Sequence, residues 1–173
     1  MSYTIDDSGK LKIDIVSDNA DYINNFPRFG LTFAFIDSFD KVKYFARGEK
    51  ENYEDKHAYA HVGAFECPVS GMTEKYVVPQ ENGAHGGARR LSVISDSARI
   101  SFESVKDFSF NVTEFDERNL PTHSADLIRS GKVFVNVDYR NSGVGSNSCG
   151  PKLNEKYSIT EKHISWDIVL ILE

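Results

Sequence analysis

Cysteine is scarce in this chain: its 173 residues hold only Cys67 and Cys149, with no CxxC pair. Two cysteines cannot staple a small secreted scaffold, so stability has to come from an apolar core. Two free thiols in a cytoplasmic protein is the reading adopted, with one distant disulfide as the alternative. Long apolar runs are missing too, and none approaches the roughly 20 residues of a transmembrane helix. The polar start Ser2-Tyr3-Thr4-Ile5-Asp6-Asp7 has nothing of a signal peptide. A basic surplus is likewise absent, with 20 Lys and Arg against 26 Asp and Glu and a net charge of -6. Nucleic acid and anionic membranes are recognised through a positive footprint, so neither is expected as a partner.

What the chain does have is alternation. Hydrophobic residues make up 40% and charged residues 27%, a balance that suits one folded domain over residues 1–173. Leu11, Ile13 and Ile15 alternate with Lys12 and Asp14, and Leu31, Phe33 and Phe35 with Thr32 and Ala34. The same period of two runs through Ile100 and Phe102, through Phe108, Phe110 and Val112, and through Val133, Val135 and Val137. It returns in Ile164, Trp166, Ile168 and Leu170 near the C-terminus. Each pattern is a strand with one buried face and one solvated or differently packed face. Residues 116–128 are the one stretch that reads as helical, with Asp116 as N-cap or Pro121 at the first turn. Residues 48–71 and 79–88 read as long loops, a kind of connection that is often functional. The expected fold is a single all-β antiparallel sandwich with several long loops on one side.

The polar residues admit bland readings beside chemical ones. Glu49, Glu51, Glu54 and Asp55 cluster in one loop, and a retaining glycosidase needs two carboxyl groups about 5–5.5 Å apart. Interspersed with Lys50 and Lys56, they read as a solvated loop instead. His57 and His61 stand four apart but lack a third ligand, so no metal site is assigned. Glu81 and Asn82 read as bonding to backbone within their own loop. Trp166 alternates with aliphatic residues and reads as core. The stretch 143–151, Gly-Val-Gly-Ser-Asn-Ser-Cys-Gly-Pro, follows a strand directly. Glycines there permit tight backbone approaches, and the loop can set Cys149 at the rim of a site. Nothing in the sequence marks Cys149 as an activated nucleophile.

Three motifs stand in order: Gly48-x-x-Glu51-Asn52-Tyr53-x-Asp55-Lys56, then Tyr76-Val77-Val78-Pro79-Gln80-Glu81-Asn82-Gly83, then Asp138-Tyr139 leading to the 143–151 loop. Together they resemble the C-terminal domain of glycoside hydrolase family 2 β-galactosidases, found in some bacteria as a separate small subunit. The resemblance covers essentially the whole chain. It implies the C-terminal half of a β-supersandwich related to galactose mutarotases, cut from a longer chain or paired with a larger one.

The resemblance also implies that the chain has no catalytic residues of its own. The catalytic glutamates, magnesium and sodium belong in that family to a central barrel domain or large subunit, the implied partner. Cys149 matches a position bordering the sugar pocket, Trp in some members and Cys in others, and Ser148 and Asn147 accompany it as substrate-lining residues. Glu51, Asn52, Tyr53, Glu81, Asn82 and His85 match loop motifs of structural or interfacial role. A galactoside such as lactose is the implied substrate of the complete enzyme, and self-association through open strand edges is expected. The alternative is a free-standing carbohydrate-binding or mutarotase-like module. The second of these needs an acid–base pair, for which His163 and Glu103 are the only candidates, without evident pairing. A further alternative is a pure scaffold whose loops touch protein.

Overall fold

A computed structural model describes residues 1–19, 25–145 and 150–173. Among the described residues, nine antiparallel strands form one sheet: β1 (Ser2–Ile5), β2 (Leu11–Asp18), β3 (Arg28–Ile36), β4 (Lys41–Arg47), β5 (Val62–Pro68), β6 (His85–Ile94), β7 (Arg99–Thr113), β8 (Lys132–Asn141) and β9 (His163–Leu172). The main path runs β1-β2-β9-β7-β6-β4-β5, and β8 and β3 branch from β7. The fold is thus all-β and antiparallel. No helix among the described residues is long and apolar enough to cross a membrane.

The long strand β7 explains how one sheet makes a closed core. Its first half, Ile100 to Glu103, pairs with β9, whereas Ser109 to Thr113 pair with β8. Both partners lie along the same edge of β7, so the two limbs diverge and one folds over the other. Phe33 and Phe35 on β3 come to rest against Phe102, with ring centroids 5.1 and 6.4 Å apart. Phe102 is fully buried, and each such side chain contributes about 1.5–3 kcal/mol. Trp166 is 3% exposed and belongs to the same core, as its alternation with Ile164 and Ile168 requires.

Around the branch point both faces of the sheet are closed. Phe110, Val112, Val135 and Val137 face the apolar core, while Ser109, Asn111, Asn136 and Asp138 are buried on the opposite face. The second face is covered by the connections before β6 and after β7, which places the loops where they can be held by polar groups.

Local expectation and structure part at several places. Residues 116–128 do not form an α-helix; they hold two short 3₁₀ turns, Glu117–Asn119 and Ser124–Asp126. Their apolar content is too thin for a buried stripe, and Pro121 removes a backbone donor in the middle. Asp116 does cap, accepting from the Arg118 amide at 3.1 Å. The 48–71 stretch, read as loop, contains β5, and β6 begins inside 79–88. The sequence texts around 100–102 and 108–112 form one strand rather than two.

Candidate functional site

The first motif begins where β4 ends. Asn52, 2% exposed, donates to the Arg47 and Lys50 carbonyls at 2.9 and 3.1 Å and so closes the loop on itself. Its side-chain oxygen accepts from the Gly86 amide at 3.0 Å, and its own amide donates to the Ala84 carbonyl at 2.7 Å. Glu51 reaches the same neighbour: one carboxylate oxygen accepts from the Gly83 amide at 2.9 Å and the other from the Tyr76 hydroxyl. The bond to Glu51, followed by burial, pushes the Tyr76 hydroxyl up to about 12. Tyr53 closes a tight turn with Lys56 through the Lys56 amide at 2.8 Å, and burial raises its hydroxyl.

The second motif is shaped by what it lacks room for. Gly83 has φ of +71°, and a Cβ there would lie 2.2 Å from the Met72 carbonyl oxygen, so only glycine fits. Asn82 donates to the Gln80 carbonyl at 2.9 Å, the bonding within its own loop that its sequence suggests, and also reaches outside the loop to accept from the Glu74 amide at 2.8 Å. Glu81 departs from that reading, because its carboxylate meets the Arg28 guanidinium at 2.5 Å. His85 is the first residue of β6 and 1% exposed, stacked on Phe110 with centroids 5.3 Å apart. Burial lowers its pKa, and Nδ1 lies 2.9 Å from the Gly83 carbonyl.

Asp138 opens the third motif on β8. Arg28 holds it by two bonds, Nη2 to Oδ2 at 2.5 Å and Nε to Oδ1 at 3.2 Å. Further along the same motif, at Val144 and Gly145, the Asp55 carboxylate of the first motif accepts from the two backbone amides at 3.0 and 2.8 Å. The three motifs, far apart in sequence, are therefore one hydrogen-bonded cluster. Cys149, Ser148 and Asn147 lie outside the described residues.

The buried polar face of β7 and β8 is the floor of this cluster. Thr32 donates to Asn136 at 2.5 Å, Asn136 to Asn111 at 2.6 Å, and Asn111 to the Glu117 carboxylate at 2.6 Å. Asn111 also donates to the Asn82 carbonyl at 3.1 Å, tying the second motif down. Burial, then the nearby Glu81 charge, pushes Glu117 up to about 7, against the pull of Arg28. Burial likewise raises Asp138 to about 6, opposed by the same guanidinium. Arg28, Asn111, Glu117 and Asn136 went unnoticed in the sequence. Two asparagines at alternating strand positions were the available signal, since a buried amide demands partners. Beside this floor lies a cleft of about 470 Å³ bordered by Tyr76, Pro79, Asn82, Phe115, Glu117 and Leu127.

Other candidates fall apart. His57 bonds the Tyr53 carbonyl at 3.2 Å, whereas His61 packs edge-on against Phe65. Among the described residues no three His, Cys, Asp or Glu group into a metal site. Glu103 pairs with Arg90 at 3.2 Å and His163 with Asp18 at 2.7 Å. Glu103 sits opposite Val169, so His163 is about 20 Å away along β9 and the two form no acid–base pair.

Residues 1–170 match the β-galactosidase small-chain family. The chain belongs to that family. A β-galactosidase of Actinobacillus pleuropneumoniae is similar at 33% identity over 171 residues, 96% of this chain and 17% of that protein. One from Staphylococcus xylosus is 34% identical over 146 residues, 83% of this chain and 15% of that protein. One from the yeast Kluyveromyces lactis is 29% identical over 153 residues, 86% of this chain and 15% of that protein. The chain thus spans about a sixth of the length of these β-galactosidase relatives.

Proposed function

We propose that this chain is the non-catalytic portion of a β-galactosidase, completing the sugar pocket of a larger catalytic part and stabilising the assembly. The observation that carries the reading is the joining of the three family motifs into one cluster at the stem of the 143–151 loop. Cys149, with Ser148 and Asn147, forms pocket wall against the galactoside. Cysteine there offers a small apolar surface in place of an aromatic stacking face.

The larger part, a barrel domain or large subunit, supplies the catalytic glutamates, together with magnesium and sodium. The complete enzyme hydrolyses terminal β-D-galactosides such as lactose with retention. Glu51, Asn52, Tyr53, Asn82 and His85 serve by holding the loops in shape, since their bonds run within the chain. Exposed Tyr3 and Ile5 on the edge strand β1 support self-association through that edge. A cytoplasmic setting agrees with the low cysteine content.

The test is hydrolysis of a chromogenic β-galactoside by the purified chain. No turnover is expected from the chain alone, and robust turnover would overturn the reading. Tight binding of galactose by the isolated chain in a calorimetric titration would favour a free-standing binding module instead.

A further inference from the structure

We infer that Asp55 is a positioning residue of the sugar pocket: its carboxylate fixes the stem from which the 143–151 loop departs. The inference rests on the reading of that loop as pocket wall. An ionised carboxylate only accepts, and here each oxygen takes one of two successive backbone amides, Val144 at 3.0 Å and Gly145 at 2.8 Å. Successive amides converging on one anion form a small cradle, and such charge-assisted bonds are about twice as strong as neutral ones.

The approach is built into the sequence on both sides. A Cβ at Gly143 would lie 2.7 Å from the Asp55 carboxyl carbon and 2.8 Å from a Leu153 methyl, so glycine lets the carboxylate in. Asp55 itself sits inside the turn closed by Tyr53 and Lys56, whose reciprocal backbone bonds hold its main chain still. The far side of the stem is fixed as well, by the Gly143 amide on the Tyr157 carbonyl at 2.8 Å and the Ser142 amide on the Pro27 carbonyl at 2.9 Å.

The stem is therefore clamped between two backbone contacts and one anion. The anion comes from the Glu51-Asn52-Tyr53 motif, which gives that motif a task in the reaction although it need not touch sugar. In the sequence Asp55 looks like one of several solvated acids, because its partners lie 89 and 90 residues away.

Two readouts test this. In the chain itself, Asp55→Ala is expected to speed amide exchange at Val144 and Gly145 by about tenfold or more, because two charge-assisted bonds are lost. In the complete enzyme, the same change is expected to raise KM for a chromogenic galactoside by about tenfold, with kcat altered less. Combined with Cys149→Ala, its effect should be smaller than in the unaltered background. Should Asp55→Ala fail to fold, Asp55→Asn keeps one acceptor oxygen and should give intermediate exchange. Unchanged exchange in either variant overturns the anchor. Accelerated exchange with both kinetic constants unchanged reduces Asp55 to a structural staple and overturns the positioning role. If Cys149→Ala alone leaves KM unchanged, the pocket-wall reading fails and takes the positioning role with it, while the exchange rates still decide the anchor.

Discussion

The two faces of the β7–β8 pair are both shut away from water, yet by opposite chemistry. On one, Phe110, Val112, Val135 and Val137 join the aromatic core around Phe102. On the other, Asn111, Asn136 and Asp138 are as deeply buried, but each is tied to a specific partner. An apolar face is stabilised by area and accepts any neighbour of suitable volume. A buried polar face is stabilised only when every donor and acceptor is met, so it dictates which loop lies on it and where. The core makes the chain fold; the polar face places the motifs.

That contrast is open to direct attack. Arg28→Met swaps one long side chain for another but leaves the Asp138 carboxylate buried without its guanidinium. Loss of one partner of a buried pair costs about 3–5 kcal/mol, which a urea unfolding series on the variant would measure. Gly83→Ala drives a methyl against the Met72 carbonyl in a left-handed conformation, for about 1–3 kcal/mol. Its signature is faster amide exchange across the second motif. Leu91→Met, fully buried in the apolar core on β6 opposite Phe102, should cost less than about 1.5 kcal/mol by the same urea assay. A cost for Leu91→Met equal to that of Arg28→Met would erase the distinction between the faces.

The smallest effect is one of pH. Burial pushes Glu117 up to about 7 and Asp138 up to about 6 in the folded chain, above the ordinary carboxylate range. Between that range and those values the folded state binds more protons than the unfolded one, so stability falls as pH rises. Glu117→Gln removes one of the two groups. It is expected to flatten the fall in urea midpoint between about pH 5 and about pH 7.5, whatever it does to the midpoint itself. An unchanged slope would show that Glu117 is not held as the polar face requires.

Much of the core was legible because local pattern and burial agree. The strands through Val133–Val137 and Ile164–Leu170 follow their alternation, and Trp166 lies where period two puts it. The text fails where a strand carries other duties. In β6, Gly86 and Gly87 and the pair Arg89 and Arg90 hide the period, and the ladder shifts register around Ala88. β5 is broken up by Gly63 and ends on Pro68. β7 runs on without a break, but its alternation lapses at Ser104 to Asp107, where its partner changes from β9 to β8. At the site, motif residues were visible but their contacts were not. Asp55 with Gly145 and Arg28 with Asp138 are matches made across 90 and 110 residues, and no local signal encodes such distances.

The central claim is that this chain finishes a pocket whose chemistry lies elsewhere. Titrating the larger catalytic part of the β-galactosidase with this chain, while following hydrolysis of a chromogenic galactoside, tests it most directly. The account predicts that kcat/KM climbs with added chain and saturates at a fixed stoichiometry. A larger part that is fully active alone, with kcat/KM unmoved by the chain, would contradict it.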